Sequence, residues 1–239
     1  RVVRIPLTQL HYFKGYPAMQ TEVPFTGQPY RFKDDDPKMQ ETLDSVKKRG
    51  VRAPGLVRPD PDGGYEIISG HRRHRASELA GLEDMPVIIR DMTDEEAVIE
   101  MVDANIQREK VMPSEKAWAY RMKLEAIKHQ GARTDLTSVQ VEQKLSARDK
   151  VAKDAGEKSG IQIMRYIRLT ELIPELLDMV DEKKIAFNPA YELSFLKKEE
   201  QIQLLDAMDS EQATPSLSQA QRLKKFSQEG RLSIDVMRA

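Results

Sequence analysis

Strand-type sequence stops at Pro113. Before it, short runs of β-branched and aliphatic residues alternate with helical periodicity, and beyond it only helical patterns continue to Ala239. Such a chain cannot wrap one sheet-based core over its whole length, and 239 residues suffice for two cores. The expected class is α+β: a small mixed α/β domain over about 1–110, an all-α domain over 111–212, and a helical tail over 213–239.

The first part can be read element by element. Val2-Val3-Arg4-Ile5 is an edge-strand run, followed by a long loop rich in Pro, Gly and aromatic residues from Tyr12 to Phe32. Asp36 is a good N-cap and Pro37 suits the first helical position, so Asp34-Asp35-Asp36 reads as a solvated helix start more readily than as a metal site. Leu43 and Val46 give that helix its apolar face, and Gly50 ends it. Leu56-Val57-Arg58 and Tyr65-Glu66-Ile67-Ile68 flank the turn sequence Pro59-Asp60-Pro61-Asp62-Gly63-Gly64, which predicts a β-hairpin. A helix over Arg72 to Leu79 and a strand over Met85 to Ile89 follow. Thr93 with Glu96 then forms a capping box for the next helix.

Within this alternation one constellation carries chemistry. The hairpin's second strand ends in Gly70 and opens into His71-Arg72-Arg73-His74-Arg75, and Asn105-Ile106-Gln107-Arg108 comes later in the chain. A glycine at a helix start lets a ligand approach the backbone, the N-terminal amides and dipole favour an anion, and guanidinium forks match phosphate oxygens. The bland alternative is a solvated helix start, but cations are disfavoured at the positive end of a helix dipole. Asn105, Gln107 and Arg108 alone would be an ordinary polar helix end. Paired with the first motif, they supply an amide for a base edge or ribose hydroxyl and a second fork for a polyphosphate.

In the helical part, Ser114 or a neighbour is expected to cap a helix running past Trp118 to Gly131. Ser146, with Asp149 at capping-box spacing, is expected to start another. Thr134 to Ser138 reads as a connection, and Thr214-Pro215-Ser216 as the break before a terminal helix around Ala220 to Phe226. Across about 146–169 the chain has the layout of a helix-turn-helix: Ala152 permits close approach, Gly156 the turn, and Ile163 and Ile167 the anchoring. Lys158, Ser159, Gln162, Arg165, Tyr166 and Arg168 would then form the solvent side, with residue types that bond base edges and phosphates. An ordinary packed hairpin with a glycine turn explains the same spacing about as well. Charge favours DNA: the formal net charge is only −1, yet Lys110 to Arg168 holds thirteen Lys and Arg against seven Asp and Glu.

Other classes are narrowed by composition. The chain has no cysteine, which removes disulfides, thiolate zinc sites and thiol catalysis, and its four histidines are scattered, so no metal site is assigned. No apolar run approaches a membrane span and no signal peptide is visible, so a reducing, cytoplasmic setting is the expectation. Because the chain opens on Arg1 and stops within a helical pattern, it is expected to be a fragment trimmed at both ends.

On these residues the chain resembles the ParB family of DNA-partition proteins. The matching run spans about Ser45 to Leu124: Gly50-Val51 with Pro54, Leu56-Val57-Arg58-Pro59, Tyr65 through Ala76, Leu79-Ala80-Gly81-Leu82, Met85-Pro86-Val87-Ile88 and Asn105-Ile106-Gln107-Arg108-Glu109. Tyr166-Ile167-Arg168-Leu169 followed by Ile173-Pro174-Glu175-Leu176 extends it into the helical half. The resemblance implies an N-terminal domain of the ParB and sulfiredoxin type that binds CTP with Mg2+, and a helix-turn-helix domain that reads a palindromic site in double-stranded DNA. It further implies a homodimer closing as a clamp, a ParA-type ATPase partner, and a place on the nucleoid, here of a plasmid or integrated element. By position, Gly70, His71, Arg72 and Arg73 would surround the triphosphate and Asn105, Gln107 and Arg108 would complete the pocket, with the loop Gly50 to Pro54 at its border.

Three positions depart from the family pattern. His71 stands where the family usually has glutamate, Ala104 where it has glutamate before the asparagine, and Ala53 where glutamine is common. The two glutamates are the groups best placed to assist magnesium or hydrolysis, so the expectation is binding with slow turnover or another arrangement, His71 being a candidate substitute. Two alternatives stay open. One is a transcriptional regulator without nucleotide gating; the other is a phosphotransferase on the same domain type, using a carboxylate such as Glu100, Asp103 or Glu109.

Overall fold

The computed structural model describes residues 1–14, 33–106, 111–132 and 140–238. These form two compact units, one of residues 1–14, 33–106 and 122–132, the other of 111–121 and 140–238. The protein has the α+β architecture expected, with a sheet in the first unit and helices throughout the second. Among the described residues no helix is long and apolar enough to cross a membrane.

In the first unit five strands, β1 (Val2–Pro6), β2 (Leu10–Tyr12), β3 (Gly55–Pro59), β4 (Tyr65–Ser69) and β5 (Asp84–Ile89), pair in the order β1-β5-β3-β4-β2. The predicted hairpin is the antiparallel β3/β4 pair, with Pro59 opposite Tyr65, and the Asp60 to Gly64 turn closes it. Strand β2 has no counterpart in the sequence reading: three residues are too few for an alternating pattern, and its partner β4 lies beside it in parallel. Val57, Ile67, Met85 and Val87 form one apolar layer with Leu10.

Helix α1 (Pro37–Arg49) begins as the sequence indicates. Asp36 accepts a hydrogen bond from the Lys38 amide at 3.0 Å, and Gly50 ends the helix at φ +67°. Its buried face of Met39, Leu43 and Val46 packs on Ala76 of helix α2 (His71–Leu79). Helix α3 (Asp94–Ile106) starts at the predicted box, where Thr93 N donates to Glu96 Oε2 at 2.9 Å and Glu96 N donates to Thr93 Oγ1 at 3.3 Å. Arg58 anchors the same helix start. Its guanidinium lies 2.7 Å from Glu66 Oε2 and 2.6 Å from Asp94 Oδ1, over the ring of Phe13. Thr93→Ala is expected to cost about 1 kcal/mol by leaving first-turn amides without their acceptor. Thermal melting checks this, and an unchanged midpoint would remove the cap from the account.

Helix α4 (Pro113–Ala132) opens the helical part, but Ser114 is not its side-chain cap. Its amide and hydroxyl both bond the Asp181 carboxylate, while Glu115 accepts from the Met112 amide at 2.9 Å. Helix α5 (Gln140–Ala155) is already running at Ser146, so the helix start expected there is corrected. The reason is local: aspartate at the third position is shorter than the Glu or Gln of a true box, and Gln140 to Lys144 are residues that a helix tolerates well. The expected connection at Thr134 to Ser138 lies outside the described residues.

Helix α6 (Gly160–Arg168) is followed by α7 (Pro174–Asp181), α8 (Phe187–Leu193), α9 (Lys198–Glu211), α10 (Leu217–Gln228) and α11 (Ile234–Arg238). The predicted break is real: Ser216 caps α10 in a reciprocal box with Gln219. One apolar core, with Leu169, Leu172, Leu176, Ala190, Leu193, Leu204 and Ala220 almost inaccessible to solvent, holds these helices together.

Candidate nucleotide site and helix-turn-helix

The turn from β4 into α2 is built by glycines. Gly70 takes a left-handed conformation (φ +107°, ψ 15°), and a Cβ there would lie 3.1 Å from the Gly55 Cα and 3.3 Å from Arg73 Nη2. Glycine has no side chain to cap the helix, so the amides of His71, Arg72 and Arg73 meet no intrahelical acceptor. His74 N is the first to find one, donating to Gly70 O at 2.9 Å.

The residues carrying those amides line a cavity of about 570 Å³ together with Gly50 to Ala53, Ser69, Gly70, Ala104 and Asn105, with Glu41, Thr42, Ser45 and Val46 of α1 forming another wall. Gly70, His71, Arg72, Arg73 and Asn105 therefore share one cavity. The remaining predicted members, Gln107 and Arg108, lie outside the described residues. The three positions that depart from the family pattern, Ala53, His71 and Ala104, all line it too.

The two arginines play different parts. Arg73 Nη1 donates to the Ala53 and Pro54 carbonyls at 2.6 and 2.7 Å, pinning the Gly50 to Pro54 loop, and burial pushes its guanidinium below the usual arginine range. Arg72 Nε is buried and has no hydrogen-bond partner among the described residues. A buried donor without an acceptor is costly, and a phosphate oxygen would supply one. Arg75, the third cation of the run, is elsewhere: it forms a fork on Asp34 at 3.0 and 2.7 Å and reaches Glu78 at 3.2 Å. Its positive charge is thus balanced by protein carboxylates.

His71 is buried, with its ring stacked on Tyr12 at 5.6 Å, and His74 meets the same tyrosine edge-on at 5.9 Å. Burial lowers the His74 pKa below the ordinary imidazole value, so it stays neutral beneath the helix start. Asn105 is also buried and donates one amide hydrogen to Met101 O at 2.8 Å, which fixes the side chain and leaves its oxygen and second hydrogen for other partners.

Of the carboxylates considered for phosphotransfer, Glu100 pairs with Arg90 at 3.4 Å and Asp103 with Lys123 at 2.5 Å, and neither lines the cavity; Glu109 is outside the described residues. Among the described residues the carboxylate lining the cavity is Glu41, which the sequence reading did not single out. Its signal was the i, i+1, i+4 spacing of Glu41, Thr42 and Ser45 on the polar side of α1. His11, Asp60 and Glu66 also cluster, within 4.8 Å of one another. Lys14 lies 2.9 Å from Asp60 and lowers its pKa, and Arg58 lies 2.7 Å from Glu66, so cations already occupy the place a metal would take.

In the second unit, α5 and α6 pack on one another across a glycine turn, over the span where a helix-turn-helix is expected. Gly156 sits at φ +67° in the turn and Ser159 caps α6, accepting from Gln162 N. The closest approach is at Gly160, where a Cβ would lie 2.6 Å from Asp149 Oδ1 and 3.0 Å from Arg148 Cβ. Sequence reasoning placed the small-residue contact at Ala152, which is indeed buried, but overlooked Gly160. Lys158 and Ser159 are exposed, and Gln162 and Arg165 partly so. Arg165 lies over the rings of Phe187 and Tyr191 and donates to Asn188 Oδ1 at 2.8 Å.

Two more of the predicted solvent-side residues meet aromatic neighbours. Tyr166 packs against Tyr120 and Phe187 at 5.6 and 4.7 Å, and Arg168 lies 4.3 Å over Phe195 and donates to Ser194 O at 2.9 Å. Both brace α6 against its neighbours.

Residues 23–106 match the model of the ParB N-terminal domain. The chain is 31% identical over 201 residues to the chromosome-partitioning protein Spo0J of Thermus thermophilus, covering 84% of this chain and 62% of that protein. The chain belongs to the ParB family. Another relative, a probable plasmid-partitioning protein ParB of Xylella fastidiosa, is 31% identical over 163 residues, 64% of this chain and 40% of its own length. ParB relatives of both chromosomal and plasmid type thus match, and the chain spans less than two thirds of each. Among solved structures, a pNOB8-like ParB N-domain shares the fold, with a TM-score of 0.50 and 12% identity over 99% of this chain and 93% of that one.

Proposed function

We propose that the protein is a DNA-binding partition protein whose first unit binds CTP and whose second unit reads a palindromic site in double-stranded DNA. The observation that carries this reading is that Gly70 to Arg73 and Asn105, apart in sequence, line one cavity at the start of α2, where Arg72 Nε is buried with no hydrogen-bond partner among the described residues. The amides of α2 and Arg72 hold the phosphates, with the dipole of the helix adding to the attraction. Arg73 positions the Gly50 to Pro54 loop along the ligand. Asn105 faces the base or ribose, and Gln107 and Arg108 belong to the same site by family resemblance.

Magnesium, when bound with the nucleotide, screens the phosphate charge and fixes the phosphate oxygens. Glu41 would hold it, with the hydroxyls of Thr42 and Ser45 beside it, since Ala104 and His71 offer no carboxylate. That donor set supports binding with slow turnover more than rapid hydrolysis. In the second unit Lys158, Ser159, Gln162 and Arg165 contact DNA, while Arg168 and Tyr166 hold α6 in place. A homodimer on the two half-sites, a ParA-type ATPase partner and a location on the nucleoid in the cytoplasm complete the proposal.

Calorimetry and thermal melting with CTP, ATP, GTP and UTP test it, each with magnesium and with or without duplex DNA. CTP alone is expected to raise the melting temperature, by an amount that grows with ligand concentration. If no nucleotide shifts the midpoint while DNA is still bound, the protein is an ungated regulator and the nucleotide half of the proposal falls.

A further inference from the structure

Helix α6 leaves two large apolar side chains in solvent. Ile161 is 72% exposed and Met164 38% exposed, whereas Ile163 and Leu169 on the same stretch are fully buried. Their spacing of three residues puts them side by side on one helical face. Ile161 lies on the side of the helix away from the buried Ile163, and Met164 sits at the edge of that exposed side.

Their surroundings are cationic. Lys158 precedes them and makes no ion pair with any described residue, Arg165 follows, and Gln162 lies between. Lys150 and Lys153, exposed on α5, are likewise without an ion pair to any described residue. A stable protein–protein interface buries roughly 800 Å² on each side around a well-packed apolar centre. Two side chains ringed by lysine and arginine do not provide one. The N-terminal part of the second helix in a helix-turn-helix is the part that enters the major groove, and the one apolar group the bases display there is the thymine 5-methyl.

We propose that Ile161 and Met164 read thymine methyl groups in each half-site, with Lys158 and Arg165 holding the flanking phosphates or purine edges. This rests on the DNA-binding reading above and adds the base class that the site must contain. Each methyl buried against these side chains is expected to strengthen binding roughly fourfold, the equivalent of one buried carbon group.

The test uses duplexes selected by the full chain from a randomised pool. In the best of them each thymine is replaced singly by deoxyuridine, which removes the methyl and keeps every base-pair hydrogen bond. One or two positions in each half-site are expected to weaken about fourfold on replacement, while thymines outside the half-sites show no effect. In Ile161→Ala and Met164→Ala the loss on replacement should shrink at the position each side chain covers. Both residues are exposed, so the variants should melt like the parent protein.

If deoxyuridine is tolerated everywhere while Gln162→Ala and Lys158→Ala still weaken binding, thymine readout is wrong and DNA binding stands. If no duplex is selected at all, the DNA-binding reading itself fails, and thymine readout with it. A change of oligomeric state in Ile161→Ala, seen by sedimentation without DNA, would assign this face to a second copy of the chain and overturn the proposal.

Discussion

Arg72→Ala is expected to lower CTP affinity by about 10- to 100-fold, the equivalent of one or two charge-assisted hydrogen bonds, with the ligand-free melting temperature nearly unchanged. The side chain has a buried Nε that bonds no described residue, so removing it breaks no hydrogen bond of that atom within the described structure. Arg73→Ala should behave differently. It strips the donors from Ala53 O and Pro54 O, so it loses nucleotide binding and about 1–2 kcal/mol of stability together. Calorimetry gives the affinity and thermal melting the stability, and DNA binding by either variant, followed by fluorescence anisotropy, should match the parent. Unaltered CTP binding by Arg72→Ala would move the phosphates to another place in the cavity.

The second large effect is in the helix pair. Gly160→Val is expected to abolish specific DNA binding, since the added carbons have no room between the first turn of α6 and Arg148 and Asp149. Overpacking of this kind costs about 1–3 kcal/mol. The displaced helix then loses the specific term, which is typically at least about 10³ over non-specific binding. Gly156→Ala is the control. Its Cβ would meet nothing within 4 Å, so only the positive φ of +67° is penalised, at about 1 kcal/mol, and DNA binding survives. CTP binding should be intact in both. Equal DNA affinity in Gly160→Val and the parent would show that α6 is not the reading helix.

The contrast between those glycines explains what could be read in advance. Gly156 announces itself by its place after a helix, whereas Gly160 is required by the approach of atoms ten residues and more away along the chain. Local signals were sound for the same reason: Asp36, Thr93 and Ser216 cap through bonds to their own helices, and the Asp60 to Gly64 turn needs only its own residues. The cavity that Gly70, His71, Arg72, Arg73 and Asn105 line could be anticipated because glycine and arginine at a helix start are an electrostatic oddity.

What escaped depends on tertiary partners. Ser114 bonds Asp181 across the helical unit, Tyr166 and Arg168 find aromatic neighbours on other elements, and Glu41 reaches the cavity because α1 packs on α2. Periodicity alone does not distinguish a solvent-facing arginine from one lying on a phenylalanine.

The fork of Arg75 on Asp34 ties the residue two before the cap of α1 to the helix that presents the arginines. Asp34 is half-exposed and the pair is open to water, so electrolyte weakens it. Raising ionic strength is therefore expected to weaken this one tie to the start of α1, and, on the proposed function, to shield DNA phosphates at the same time. A titration with salt would report two events in this molecule, and a nucleotide assay run without DNA separates them.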